Sequence, residues 1–155
     1  MRYVRYLAPG WGVGELVFEG ELLVHSELPT ARPPASGESS DCPQRLAERL
    51  RDYFGGKRDE FDDVEIDLEG STQFQRSITA ALRAVPYGET VTYGELAALA
   101  GHPGAQRAAG TFCAHNRFAV VVPCHRVVAS DGIGSYGSLG VAYKRRLLAL
   151  EHVAI

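Results

Sequence analysis

The 155-residue chain is poor in cysteine, methionine and tryptophan, with three Cys, one Met and one Trp. The cysteines, Cys42, Cys113 and Cys124, are odd in number and widely spaced. They fit neither a disulfide framework nor paired zinc knuckles, so no metal is expected and a reducing, cytoplasmic setting is. No run of 18 apolar residues is present, which excludes a membrane-spanning helix. The first ten residues carry Arg2 and Arg5 without an apolar stretch, so no secretory leader is expected. A surplus of positive charge is missing too: the net charge is −3, which taken whole argues against a nucleic-acid partner.

Halving the chain changes that. Residues 1–70 hold 8 Lys and Arg against 15 Asp and Glu, or −7; residues 71–155 hold 8 against 4, or +4. An acidic front and a basic back make the C-terminal half a candidate for meeting a polyanion. Chance clustering is the plainer alternative. Hydrophobic content of 45% and charged content of 23% are those of an ordinary globular protein. The length suits one or two small domains with a real core, and the change of character after Gly70 divides them as 1–70 and 71–155.

Residues 11–28 read as a β-hairpin, with Leu16-Val17-Phe18 and Leu22-Leu23-Val24 flanking a turn at Gly20. Residues 29–41, with three prolines and three serines, read as a loop. Pro43 is expected to open a helix whose apolar face holds Leu46, Leu50 and Tyr53-Phe54 and which Gly55-Gly56 ends. Val64, Ile66 and Leu68 alternate as in a half-buried strand. Beyond Gly70, Ser71 or Thr72 caps a helix striped by Phe74, Ile78, Leu82 and Val85, which Pro86-Tyr87-Gly88 stops. Thr92 to Glu95 is a capping box. Residues 101–104 break the chain before a helix over 105–115, with Asn116 at its C-terminal cap. Two short helices across a glycine-containing break are the helix-turn-helix pattern, and also an ordinary helix pair. The second helix is smooth: Ala105, Ala108, Ala109 and Gly110 surround Arg107. Such a surface suits close approach to a groove wall with one inserted cation, or helix-on-helix packing.

In the run Val120-Val121-Val122-Pro123-Cys124-His125-Arg126-Val127-Val128, a thiol adjoins an imidazole between two β-branched stretches. The imidazole is the usual means of making a thiolate near neutral pH. Strand neighbours face opposite ways, so the pair cooperates only if Pro123 makes a turn. Otherwise Cys124 is a small core residue. A loop over 131–140 with four glycines around Tyr136 follows, then a helix over 141–152 with Lys144-Arg145-Arg146 near its start and Glu151 near its end. On pattern alone, Glu151 reads as a solvated surface residue.

Together these pieces resemble the O6-alkylguanine-DNA alkyltransferases (methylated-DNA–protein-cysteine methyltransferases). The resemblance covers essentially the whole chain and is dense from Thr72 onward. It rests on Phe74-Gln75, Val85-Pro86-Tyr87-Gly88, Thr92-Tyr93, Arg107-Ala108, Asn116, Pro123-Cys124-His125-Arg126-Val127, Gly134 to Tyr136, and Lys144 to Glu151. It implies an α/β (α+β) fold: a small ribonuclease-H-like sheet domain, then a mainly helical, winged helix-turn-helix-like domain. It implies DNA repair by a single irreversible transfer of an alkyl group from guanine O6 to Cys124, with no cofactor. His125 then deprotonates the thiol through a water, and Glu151 orients and charges the histidine. Asn116 is the hinge to the active-site turn. Tyr93 sits at a DNA phosphate and at guanine N3. Arg107 fills the stack after the base is flipped out. Tyr93, Ala105, Gln106, Arg107, Ala108 and Gly110 form the DNA face, and Cys113, Val127, Tyr136, Gly137 and Ser138 the pocket. The implied partner is double-stranded DNA bearing O6-alkylguanine, held by a monomer in the minor groove largely without regard to sequence. Departures from the pattern are Arg117 in place of a frequent Pro, Cys113 of Met and Thr79 of Trp, with bulkier Gln106 and Phe112. The alternatives are a lesion-binding relative that lacks the acceptor cysteine, an unrelated cysteine hydrolase, and a plain helix-turn-helix regulator.

Overall fold

The computed structural model describes residues 1–31 and 44–154. They form a mixed α/β structure in two compact units, one of residues 1–31 and 44–67 with 117–121, the other of 68–116 with 122–154.

In the first unit, β1 (Arg2–Ala8), β2 (Gly12–Glu19) and β3 (Leu22–Thr30) form an antiparallel sheet in chain order. In β1 the side chains of Val4, Tyr6 and Ala8 are buried, and those between them face out, as a period of two demands. The expected hairpin is β2–β3, turning at Gly20, whose φ of +60° suits glycine. Helix α1 (Arg45–Phe54) is capped by Gln44, whose side chain accepts from Ala47 N. The expected start at Pro43 and the loop over residues 32–41 lie outside the described residues, and Pro29 and Thr30 belong to β3 rather than to a loop. Gly55 caps α1 and Gly56 follows at φ +105°. Phe54 packs on Tyr6 and Trp11, and Tyr53 on Phe61.

The strand expected around Val64, Ile66 and Leu68 is not formed; a single bridge joins Ile66 to Leu23. Local hydrogen bonds win instead. Asp59 accepts from the Phe61 amide, and Arg49 draws Asp59 and Asp63 together. Residues 117–121, which the sequence assigns to the C-terminal half, join this unit. The Ser26 amide donates to the Arg117 carbonyl, and the Ser26 hydroxyl to that of Ala119.

In the second unit, α2 (Gln73–Arg83) opens on a capping box between Thr72 and Gln75 and buries Ile78 and Leu82. Strand β4 (Val91–Thr92) pairs in parallel with β5 (Val127–Val128). A second capping box, Thr92 with Glu95, starts α3 (Tyr93–Leu99). After the break comes α4 (Gln106–Ala114), and last α5 (Gly140–Leu150). His115 caps α4, where Asn116 was expected; the Asn116 amide is engaged elsewhere. Helix α5 ends at Leu150 rather than at 152, because Glu151 caps it and His152 turns to φ +65°. Ile78, Leu82, Leu96, Ala97, Val122, Val127, Leu147 and Leu148 make the core. No helix among the described residues is long and apolar enough to cross a membrane.

Candidate active site

The site is built on a turn that Pro123 forces. The Cys124 amide folds back on the Val122 carbonyl at 2.8 Å and that of Arg126 on the Pro123 carbonyl at 3.0 Å. A single 3₁₀ turn, Cys124–Arg126, results before β5 resumes the extended backbone. Three residues per turn aim Cys124, His125 and Arg126 in three directions. All three are buried. The straight strand that would separate thiol from imidazole is absent.

The Cys124 thiol is influenced by Cys113 of α4, the Asn116 amide and Lys144 of α5. Burial pushes it well above the ordinary thiol range and Cys113 adds to this, while Asn116 and Lys144 pull it back. The resting thiol is therefore protonated and needs a base. Asn116 Nδ2 donates to the Val122 carbonyl at 2.8 Å, tying the end of α4 to the segment leading into the turn.

His125 is fully buried, and its Nε2 meets Glu151 Oε2 at 2.7 Å. An ionised carboxylate only accepts, so Nε2 carries the hydrogen and Nδ1 is the basic nitrogen. Burial lowers the imidazole's proton affinity; Glu151 raises it in part, and Arg126 and Lys144 lower it further. The ring is neutral at rest. Glu151, read from pattern as solvated, is 1% exposed. The end of α5 carries it inward, onto the buried Lys144, Leu147 and Leu148 face of that helix. Burial pushes its carboxyl up, but hydrogen bonds from His125 and Arg126 outweigh this and hold it well below the usual carboxylate range.

Several groups at the site were given no role by sequence reasoning. Arg126 Nε and Nη2 grip the Glu151 oxygens at 2.9 and 3.1 Å, and Nη1 donates to the Val85 carbonyl at 2.8 Å. The Gly88 amide donates to Glu151 Oε1 at 3.2 Å. Gly88 is at φ +83°, a conformation that favours glycine. Lys144, read as part of a basic run, is buried; Nζ donates to the carbonyls of Val127 and Ser135, and burial pulls its ammonium down to about 8. The signal for Lys144 was present: it shares the 144, 147, 148, 151 stripe of α5 with two leucines.

Tyr93 opens α3. Burial raises its phenol, and hydrogen bonding with Ser135 counteracts this. A Cβ on Gly134, at φ +77°, would lie 3.2 Å from the Tyr93 hydroxyl, so the loop passes the phenol only as glycine. Tyr93, Gln106, Arg107, Gly110, Thr111 and Ser135 line an open groove of about 680 Å³. Gln106, Arg107 and Ala108 are exposed, Ala105 and Gly110 half-buried. Of the expected pocket residues, Val127 is fully buried, Cys113 is half-buried, and Tyr136 is half-buried against Tyr143. Gly137 and Ser138 stand exposed on the loop, and Ser135 is the loop residue at the groove. Among the described residues no His, Cys, Asp or Glu cluster is arranged to hold a metal.

Residues 73–153 match the family described as 6-O-methylguanine DNA methyltransferase, DNA binding domain. The methylated-DNA–protein-cysteine methyltransferase of Mycolicibacterium paratuberculosis is 51% identical over 105 residues, 67% of this chain and 62% of that protein. The aligned part thus spans less than two thirds of that relative. The protein of the same name from Metallosphaera sedula is 36% identical over 151 residues, 97% of this chain and 93% of that one. The Mycobacterium tuberculosis OGT solved in complex with DNA superposes with a TM-score of 0.78 at 38% identity, covering 97% of this chain and 92% of the other. The matched span runs from the first residue of α2 past Glu151 and so takes in the turn, His125 and Glu151: the chain belongs to the 6-O-methylguanine DNA methyltransferase family.

Proposed function

We propose that this protein repairs DNA by taking the alkyl group of O6-alkylguanine onto Cys124, once and irreversibly. The observation that carries the reading is the buried His125–Glu151 pair, whose histidine directly follows the buried Cys124 on one 3₁₀ turn. It is the arrangement an otherwise unreactive thiol needs in order to become a nucleophile.

Nδ1 of His125 accepts the thiol proton, relayed through a water, and Glu151 stabilises the resulting imidazolium. The sulfur attacks the alkyl carbon in line with its bond to O6. The S–C bond forms as the C–O6 bond breaks, and the bonding pair leaves on the guanine. Tyr93, with a phenol that burial keeps protonated, donates toward N3 of the leaving base. The products are a thioether and a guanine anion, which takes a proton at N1 from water to become unmodified guanine, while the imidazolium returns its proton to solvent. No cofactor takes part, since the alkylated base is itself the activated donor.

Asn116 holds the turn against the end of α4, so that DNA docking and the acceptor stay in register. The first turns of α4 and its N-cap, with Gln106 and Ala108 exposed and Ala105 and Gly110 half-buried, lie against the minor groove of double-stranded DNA, and Arg107 enters the stack vacated by the flipped base. Cys113, Val127 and Tyr136 wall the base pocket, with Ser135 at its mouth and Gly137 and Ser138 on the loop beside it. The protein binds as a monomer, with low sequence preference and strong salt dependence, because few side chains of the helix read base edges.

Titration of the reduced protein with a duplex containing a single O6-methylguanine tests the reading. One methyl is taken up per protein, with no second round. Continued turnover on an ester or amide, with no methyl uptake, would assign the thiol to a hydrolase instead.

A further inference from the structure

Arg126, like Lys144, is a charged group of the site that the proposed transfer leaves without a task. It is 2% exposed and directly follows the candidate base. Its guanidinium contacts both oxygens of Glu151, at 2.9 and 3.1 Å, and is anchored at 2.8 Å on the Val85 carbonyl. The Tyr87 ring lies 5.8 Å from it. Glu151 Oε2 thus serves His125 and Arg126 at once.

The consequence is electrostatic. A buried carboxylate facing only an imidazole draws a proton into the pair, because an uncompensated charge there is costly. If that proton rests on the ring, the imidazole becomes an imidazolium. If it rests on the carboxyl, the acid donates to Nε2 and the ring's own hydrogen moves to Nδ1. Both outcomes leave Nδ1 protonated and unable to accept from the thiol. A guanidinium supplies the positive charge instead and does not give up its proton. The charged groups acting on the ring are Glu151 and Lys144 from α5 and Arg126 from its own turn. Lys144 directs its ammonium to the Val127 and Ser135 carbonyls, which leaves Arg126 as the cation in direct contact with the Glu151 carboxylate.

We propose that Arg126 is a positioning residue that sets the charge state of its neighbour: by occupying both oxygens of Glu151, it keeps the His125 imidazole neutral with Nδ1 able to accept a proton. Its catalytic consequence rests on the alkyl-transfer reading of Cys124, but the charge state of the ring is measurable without any substrate.

The test uses the full chain and two readouts. Nitrogen NMR follows the His125 ring from pH 5 to 9, and iodoacetamide alkylation of Cys124 is read by mass on the tryptic peptide that carries it, 118–126 in the parent and 118–144 in Arg126→Gln, neither of which contains another cysteine. In the unmodified protein the ring is neutral at pH 7, with its hydrogen on Nε2. In Arg126→Gln, Nδ1 is protonated at pH 7. Cys124 then reacts about tenfold or more slowly, recovering toward pH 9, as a rise of about one pKa unit or more requires. Arg126→Lys retains the charge and stays within about threefold of the parent at pH 7. An Nδ1 already protonated in the unmodified protein at pH 7 would overturn the proposal, and this reading holds even if Arg126→Gln does not fold. An Arg126→Gln protein that loses thermal stability while its ring titration and pH profile stay put would overturn it as well. So would a lysine variant as impaired as the glutamine one at every pH. A neutral ring together with no methyl uptake from an O6-methylguanine duplex would sink the alkyl-transfer reading and leave the charge assignment standing.

Discussion

Two arginine–carboxylate clusters can be compared within this chain. In the first unit, Arg49 forks onto Asp59 and Asp63 with every contact between 2.8 and 3.1 Å, and Asp63 is 63% exposed. In the second, Arg126 forks onto Glu151 at nearly the same distances, and neither side chain is more than 2% exposed. The geometry is shared and the energetics are not. Water screens the first cluster, which draws two loop aspartates toward α1 and is worth about 1 kcal/mol or less per pair. The second cluster has lost its water. Its attraction roughly offsets the cost of burial, so it contributes little net stability, yet removing one member leaves a buried charge uncompensated. A feature that is expensive to build and costly to break belongs where chemistry needs it, and it lies against the imidazole of the candidate base.

The largest effect that separates the clusters is expected from Glu151→Ala. It strands Arg126 and should cost about 3–5 kcal/mol in urea unfolding. Alkyl uptake should fall by about 100-fold or more with its base no longer oriented. If the protein keeps its stability, the buried cluster behaves like a surface pair and the comparison fails.

Acid should divide the two units next. His125 has a lower pKa folded than unfolded, so the folded protein binds fewer protons as pH drops below the unfolded value of about 6.5. Stability is therefore present above that pH and lost below it. Glu151, also lowered, adds a loss of the same sign below about pH 4.3. Asp59 and Asp63 are lowered by Arg49, so the first cluster loses its contribution only below about pH 3.9. Hydrogen exchange from pH 7 to 4 should show protection falling first in residues 122–151. Simultaneous loss in both units would contradict the assignment of a neutral, buried His125.

Asn116→Ala leaves the Val122 carbonyl without its 2.8 Å donor and should cost about 1–3 kcal/mol. It should slow alkyl uptake by more than the stability loss accounts for, since the turn is no longer tied to α4. Arg49→Ala should cost about 1 kcal/mol or less and leave uptake unchanged. Smallest in stability is Arg107→Ala. This side chain is exposed, so melting should move by no more than about 0.5 kcal/mol equivalent. Repair of duplex should nonetheless drop while iodoacetamide labelling of Cys124 holds. Equal losses in melting and repair would make Arg107 a structural residue.

What sequence conveyed differs between the same two regions. Local rules sufficed for the hairpin, the capping box from Thr92 to Glu95, the glycine stop of α1 and the turn at Pro123, because each is decided by residues within a few positions. They failed for the span around Val64, Ile66 and Leu68, where alternation suggested a strand and hydrogen bonds accepted by Asp59 and Asp63 hold a loop. They missed β1 although Pro9-Gly10, where the chain turns into β2, was a turn signal. At the site, Cys124 and His125 stood out by type, but on pattern alone Glu151 read as solvated and Lys144 as part of a basic run. Their burial follows from the face of α5 on which they lie, and a charged side chain on an apolar stripe is the clue that was passed over. Arg126 was visible in the motif but silent, since its contacts to Glu151 and Val85 span 25 and 41 residues. No local pattern encodes those distances.

The central claim is that the thiol of this turn, among the three in the chain, is the acceptor. Incubating the reduced, folded protein with an O6-methylguanine duplex and weighing its tryptic peptides tests it directly. The account predicts one added methyl on peptide 118–126, which carries Cys124, and none on peptide 108–117, which carries Cys113. An unchanged mass for 118–126, or a methyl found on 108–117, would contradict it.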